Sequence, residues 1–130
     1  MIVDTTFLID IMDNEPVATE MLKSLVEKGA PLTVTALSIF ELFSGLTRST
    51  SPLREYEKIQ SVTEQLPRWS FDEVSAERAG QLHGMLISKG QPIGALDAMI
   101  AGIALQHHEP VLTRNVKDFS RVPGLKVETY

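Results

Sequence analysis

The stretch Ile93-Gly-Ala-Leu-Asp-Ala-Met-Ile-Ala-Gly-Ile-Ala-Leu105 is apolar or small at every position except one acid, Asp97. Asp97 is also the only formally charged residue between Lys89 and Glu109. A helix that is apolar on nearly every side is expected to be buried. A buried carboxylate is costly unless a partner keeps it ionised, and a metal ion is one such partner. The stretch therefore predicts a buried helix that carries one residue of a site.

The composition is that of a globular protein, with 130 residues, 43% hydrophobic and 22% charged. The length favours one domain over residues 1–130. The absence of cysteine excludes disulfides, thiolate nucleophiles and zinc–thiolate sites, and it suits a reducing cytoplasm. The N-terminal residues lack the basic start and cleavage site of a signal peptide, and the apolar run is too short to span a membrane. We therefore expect a cytoplasmic protein without a membrane partner.

The formal net charge of −5 argues against a broad surface that coats nucleic acid. It remains compatible with a nuclease, because acids gathered at a metal site are neutralised by the bound cations.

Short β-branched runs alternate with helical patterns along the chain. The predicted strands are 1–4, 32–35, 66–71, 110–113 and 125–128, and the predicted helices are 5–12, 16–28, 36–47, 52–65, 72–89 and the run around Asp97. This alternation predicts a parallel sheet covered on both faces. Ligands of such sheets lie at the carboxyl ends of strands, where Asp4 ends the first strand and Asp118 follows the fourth.

Each acid also has a structural interpretation. Asp4 could cap the first helix, although Thr5 and Thr6 could do the same. Asp97 could cap a helix that begins just after it.

The other two acids have similar alternatives. Glu41 shares a polar stripe with Ser38, Gly45 and Arg48, which could be a solvated face or contain a Glu41–Arg48 pair. Asp118 could make a turn or a short helix cap together with Asn115.

Taken together, the four acids can meet at one edge of an α/β sheet. Clustered carboxylates raise one another's pKa and bind hard divalent cations through oxygen. Because cysteine is absent and histidine occurs only at 83, 107 and 108, such a site favours Mg²⁺ or Mn²⁺ over Zn²⁺.

At this point the chain resembles the PIN-domain nucleases, and among them the VapC-type toxins of prokaryotic toxin–antitoxin pairs. The resemblance covers essentially all 130 residues. The matching segments follow in order: Ile2-Val-Asp-Thr-Thr-Phe-Leu-Ile9, Ser38-Ile-Phe-Glu-Leu-Phe-Ser-Gly45, Gly94-Ala-Leu-Asp-Ala-Met-Ile-Ala-Gly102, Leu112-Thr-Arg-Asn-Val-Lys-Asp-Phe119 and the tail Val122-Pro-Gly-Leu-Lys-Val-Glu-Thr-Tyr130.

The resemblance implies a three-layer α/β/α fold with a central, mainly parallel sheet of four to five strands. It also implies that the family's catalytic and metal-binding acids are Asp4, Glu41, Asp97 and Asp118. Polar neighbours of the pocket or contacts to substrate would be Thr5, Thr6, Thr113 and Asn115. Thr6 departs from the pattern, because many members carry Asn or Ser there.

The implied activity is metal-dependent hydrolysis of RNA phosphodiester bonds with Mg²⁺, or Mn²⁺ in its place. The implied partners are a VapB-type antitoxin that blocks the acidic pocket and a second copy of the chain in a homodimer. A basic rim for phosphates could include Arg48, Arg54, Lys58, Arg114, Lys117 and Arg121, with Arg114 and Lys117 favoured because they flank Asn115 and Asp118. The alternative is a catalytically silent PIN-like module that binds RNA or protein.

Overall fold

The computed structural model describes residues 1–130, with five short strands and seven α-helices. The strands are β1 (Ile2–Val3), β2 (Val34–Thr35), β3 (Arg68–Trp69), β4 (Val111–Leu112) and β5 (Val127–Glu128). The helices are α1 (Thr5–Met12), α2 (Pro16–Glu27), α3 (Ala36–Ser44), α4 (Pro52–Thr63), α5 (Glu73–Ser88), α6 (Ala95–Gln106) and α7 (Val116–Phe119).

All strand pairs are parallel, which confirms the predicted α/β class. The strands divide into a three-stranded sheet, β1-β4-β5, and a two-stranded sheet, β2-β3, rather than one continuous sheet. Thr33 joins the two through a single bridge to Ile2, with backbone hydrogen bonds of 2.9 Å on each side. The division arises because Thr33 pairs with β1, whereas Val34 and Thr35 pair with β3.

The strands separate two hydrophobic cores. Alternate side chains of a strand point to opposite faces, so Ile2 and Val111 join one core and Val3 and Leu112 the other. Helices α5, α6 and α7 supply the first core, and α1 to α4 supply the second. This arrangement gives the three layers that the resemblance implies.

Most helix limits agree with the predicted ones to within one or two residues. Asp72 caps α5 as expected, accepting a hydrogen bond from the Ser75 amide at 2.9 Å. The predicted helix 36–47 is shorter, because the α-helix ends at Ser44 and Gly45–Arg48 continues as a 3₁₀ helix. The predicted strand 66–71 is reduced to β3, since Pro67 has no amide hydrogen to donate to a neighbour.

Helix α6 contains the apolar run around Asp97, and it packs closely against α5. Ala98, Ile100, Ala101, Gly102, Ile103 and Ala104 are all buried. A Cβ atom on Gly102 would lie 2.8 Å from the Ser75 carbonyl oxygen and 2.9 Å from the Ala79 Cβ. The small residues therefore let α6 approach α5 and fix Asp97, in the first turn of α6, relative to the strand ends.

Candidate active site

Asp4 directly follows β1, and its side chain points to the strand ends instead of capping α1. Asp4 occupies the N-cap position of α1 without any hydrogen bond from its side chain to the helix. Its Oδ2 atom accepts hydrogen bonds from the hydroxyls of Thr113, at 2.8 Å, and Thr6, at 3.1 Å. The capping interpretation is therefore wrong for Asp4, Thr5 and Thr6 alike, because none of the three makes a side-chain cap.

Asp97 lies inside α6, not in front of it. The helix begins at Ala95 with Gly94 as its N-cap residue, so the alternative in which Asp97 caps a later helix is wrong. The Asn115 amide group donates to Asp97 Oδ2 at 3.0 Å and to Asp118 Oδ2 at 3.2 Å. Asn115 therefore bridges the acid of α6 and the acid of α7.

Glu41 lies on α3. The Thr5 hydroxyl donates to Glu41 Oε1 at 2.8 Å and lies 3.0 Å from the hydroxyl of Ser38, which is fully buried. Glu41 forms no ion pair with Arg48, so that alternative is wrong. The stripe is not a solvated face either, because Ser38 is buried and Glu41 is half-buried.

The four acids have a common hydrogen-bonding pattern. In each, one carboxylate oxygen accepts from a neutral hydroxyl or amide, while the second receives no hydrogen bond from the protein. No basic side chain forms an ion pair with any of them. We call this group the acid pocket: Asp4, Glu41, Asp97 and Asp118.

The electrostatics show that the members of the acid pocket are close enough to repel one another. Burial and the charges of Asp4, Glu41 and Asp118 raise the pKa of Asp97 to about 6, although the hydrogen bond from Asn115 opposes the shift. Burial also raises the pKa of Glu41, with Thr5 opposing the shift and the charge of Asp4 adding to it. Ionised carboxylates are held together here without a compensating charge from the chain.

The donor set fits a hard divalent cation. The pocket offers carboxylate oxygens with unoccupied lone pairs, hydroxyl and amide neighbours that orient them, and no sulfur ligand. As the side chains stand, no three acids or histidines lie close enough to surround one ion. The acids would therefore have to move together to share a cation.

The three residues most expected to contact RNA differ in their exposure and pairing. Arg48 and Lys117 are exposed. Arg114 is held by an ion pair of 2.9 Å between its Nη1 atom and Asp10 Oδ1, while its side chain keeps 60% of its exposure.

Sequence reasoning missed two residues next to the acid pocket, Asp10 and Tyr130. Asp10 is only 5% exposed and also accepts a 2.6 Å hydrogen bond from the Tyr130 hydroxyl. The sequence around Asp10 does not indicate that it is buried, because its partners Arg114 and Tyr130 lie 104 and 120 residues away in the chain.

Comparison with known proteins agrees with this geometry. The family model described as "PIN domain" matches residues 1–125. The "tRNA(fMet)-specific endonuclease VapC" of Salmonella typhimurium is 31% identical over 97 residues, covering 75% of this chain and 74% of that protein. The protein of the same name from Shigella flexneri is 28% identical over 127 residues, which cover 98% of this chain and 95% of that protein.

Solved structures show the same relationship. A chain of the DNA-bound VapBC from Salmonella typhimurium has a TM-score of 0.89 and 27% identity over 98% of this chain and 96% of that chain. A chain of VapBC-1 from nontypeable Haemophilus influenzae has a TM-score of 0.86 at 27% identity, with coverage of 98% and 96%. None of the helices described above is both long and apolar enough to cross a membrane. The chain therefore belongs to the PIN domain family and, within it, to the VapC ribonuclease toxins of VapBC toxin–antitoxin systems.

Proposed function

We propose that the acid pocket is the active site of an endoribonuclease that uses Mg²⁺, or Mn²⁺ in its place, to hydrolyse RNA phosphodiester bonds. The observation that supports this most directly is the unused oxygen on each of four neighbouring carboxylates, with no cation from the chain to face them. Asp4, Asp97 and Asp118 would hold the ion, and Glu41 would complete its coordination or orient the attacking water.

Each supporting residue has a definite task in this proposal. When bound, the cation supplies Lewis acidity and lowers the pKa of water. Thr113 and Thr6 fix one oxygen of Asp4, and Asn115 fixes one oxygen each of Asp97 and Asp118. Because these donors are neutral, they orient the carboxylates without cancelling their charge. No nucleophilic side chain is required.

The substrate class that we propose is structured RNA, and tRNA in particular. The name of the Salmonella typhimurium relative specifies tRNA(fMet), and that protein is 31% identical to this chain. Exposed Lys117 on α7 and Arg48 after α3 would contact phosphates on either side of the pocket. Arg114, with its guanidinium partly exposed, would add a third contact. Such a substrate places the activity in the cytoplasm.

We also propose that a VapB-type antitoxin closes the acid pocket with a guanidinium group. The similar solved structures from Salmonella typhimurium and Haemophilus influenzae are of VapBC assemblies. A bidentate guanidinium matches paired carboxylate oxygens that lack a cation, so it would block the pocket in place of the metal. The chain, as one domain over residues 1–130, would form a homodimer within that assembly.

The experiment is cleavage of bulk bacterial tRNA, followed on a denaturing gel, with Mg²⁺ and with EDTA. We expect the wild type to cut only with the metal. We expect Asp97→Asn to lose more than the roughly 100-fold that removal of an outer-shell metal partner costs. Glu73→Gln is the matched control, because Glu73 is also in the first turn of a helix but is exposed and outside the pocket.

A folded Asp97→Asn protein that cuts as fast as Glu73→Gln would refute the proposal. RNA binding that is unchanged by Mg²⁺, with no turnover by the wild type, would instead support the silent binding module.

A further inference from the structure

Asp10, Arg114 and Tyr130 form a second polar group beside the acid pocket, which we call the Asp10 cluster. Arg114 pairs with Asp10 Oδ1 at 2.9 Å, and the Tyr130 hydroxyl donates to Oδ2 at 2.6 Å. The Tyr130 ring also packs edge-on against Phe7 of α1, with 5.0 Å between ring centroids. The cluster therefore ties both the segment after β4 and the tail after β5 to one face of α1.

A chain of hydrogen bonds connects this cluster to the acid pocket. The backbone amide of Arg114 donates to Thr6 Oγ1 at 3.1 Å, and Thr6 Oγ1 in turn donates to Asp4 Oδ2 at 3.1 Å. A hydroxyl has one hydrogen to give. The Arg114 amide occupies one lone pair of Thr6, so the hydroxyl hydrogen points away from it. Asp4 Oδ2, at 3.1 Å, is a nearer acceptor for that hydrogen than Thr113 Oγ1, at 3.4 Å.

The consequence for Asp4 is that its two oxygens differ. Thr6 and Thr113 both donate to Oδ2, and no protein donor reaches Oδ1. If the segment after β4 moved away from α1, Thr6 would lose the amide that directs its hydroxyl. The Asp4 carboxylate would then keep only the Thr113 hydrogen bond on Oδ2, and the direction of its open oxygen would be less firmly fixed.

We propose that Asp10 and Tyr130 are positioning residues that act through Arg114 and Thr6 to hold Asp4 Oδ1 open for the divalent cation. This inference rests on the proposed function, since it assigns the two residues a role toward the same metal. In this role neither residue would need to contact the cation or the RNA.

The chemistry of the cluster favours this role over a purely stabilising one. A buried carboxylate paired with arginine is a poor source of stability compared with an apolar side chain of similar size. Phe7 already holds the Tyr130 ring, so the tail does not need the hydroxyl to stay in place. What the charge and the hydroxyl add is a fixed position for Arg114, whose backbone amide reaches Thr6.

Binding of Mn²⁺ without RNA, measured by titration calorimetry at pH 7.5, tests the proposal directly. We expect Asp10→Asn to weaken Mn²⁺ binding about tenfold, the lower end of the effect of an outer-shell partner. Tyr130→Phe keeps the ring and loses one hydrogen bond, so we expect a loss of about threefold. It also serves as the second variant if Asp10→Asn fails to fold.

Glu109→Gln is the matched control. Glu109 is likewise a carboxylate with a cation partner, the N-terminal amine at 2.9 Å, and with hydrogen bonds from Thr33 and Trp69, but it belongs to no part of the acid pocket. We expect Glu109→Gln to bind Mn²⁺ like the wild type even where it lowers stability. Equal Mn²⁺ affinity in Tyr130→Phe, Asp10→Asn and Glu109→Gln would overturn the positioning role.

A double-mutant cycle with Thr6→Val tests the route. If Asp10 acts through Thr6, adding Asp10→Asn to Thr6→Val should weaken Mn²⁺ binding no further, whereas independent effects would multiply. Multiplying losses would overturn the route through Thr6. A wild type that binds no Mn²⁺ and cuts no RNA would refute the proposed function together with this inference, while a wild type that does both, with unaffected variants, would refute this inference alone.

Discussion

Asp10 and Asp97 are both acids on helices beside the strand ends, and they differ in how their charge is compensated. Both oxygens of Asp10 have a donor, one from Arg114 and one from Tyr130. Asp97 has the Asn115 amide on one oxygen and nothing on the other, and its nearest charges are three further acids. The chain neutralises Asp10 itself, and it supplies no positive charge to Asp97.

The difference teaches which carboxylates of this molecule are neutralised by the chain itself and which keep an uncompensated charge. Burial near like charges disfavours the ionised form, and this is why the pKa of Asp97 rises to about 6. Such an arrangement lowers the stability of the metal-free protein. A divalent cation reverses the penalty, because it favours the ionised form of every acid that it contacts.

The largest expected effect is stabilisation by the metal. At a Mg²⁺ concentration of 100 times its Kd, the free energy of unfolding of the wild type should rise by about 2.7 kcal/mol, as measured by urea titration against EDTA. Asp97→Asn should show almost none of this gain. Asp10→Asn, with about tenfold weaker binding, should keep about 1.4 kcal/mol at the same concentration. An equal gain in Asp97→Asn and the wild type would show that Mg²⁺ binds elsewhere.

The next largest effect concerns Asp10, the carboxylate whose charge the chain itself compensates. Arg114→Met leaves Asp10 buried with Tyr130 as its remaining partner, and we expect a loss of about 2 kcal/mol in urea unfolding. This figure lies below the range for fully buried pairs because the Arg114 side chain is 60% exposed. Adding Asp10→Leu should recover most of the loss, since no unpaired charge remains. A double variant as unstable as Arg114→Met alone would contradict this account of Asp10.

The two carboxylates also differ in how well the sequence predicts them. Asp97 is conspicuous because the run around it is otherwise apolar, and the alternation of strands and helices predicts that Asp4 meets it at a strand end. Local pattern therefore indicates the acid pocket, as well as the parallel sheet and most helix limits.

Asp10 gives no such signal. It follows Ile9 and precedes Ile11 in α1, where an acid reads as an ordinary helix surface residue, and its burial depends on residues after β4 and β5. The same long-range contact changes the interpretation of Arg114, which sequence alone assigns to RNA because it precedes Asn115. The division of the sheet at Thr33 is equally non-local, since it depends on which neighbour each backbone group meets.

The smallest expected effect is the pH dependence of the stability of the metal-free protein. It is also the effect that best distinguishes Asp97 from Asp10. Burial and the neighbouring acids raise the pKa of Asp97 from its ordinary value of 3.8 to about 6 in the folded state. Between about pH 4 and pH 6 the folded protein therefore holds a proton on Asp97 that the unfolded chain has released. Asp97 lowers the free energy of unfolding as pH rises through this interval, and the penalty is complete above pH 6.

In EDTA, Asp97→Asn should therefore be more stable than the wild type at pH 7, by about 1 kcal/mol once the solvent screening of a half-buried group is allowed for. The two proteins should converge as pH falls towards 4, because the wild-type carboxyl is then neutral as well. Asp10→Asn should instead be less stable than the wild type at pH 7, because its pairing with Arg114 is lost. Urea unfolding of the three proteins across this range checks both signs, and a stabilising Asp10→Asn or a destabilising Asp97→Asn would reverse the distinction between the two carboxylates.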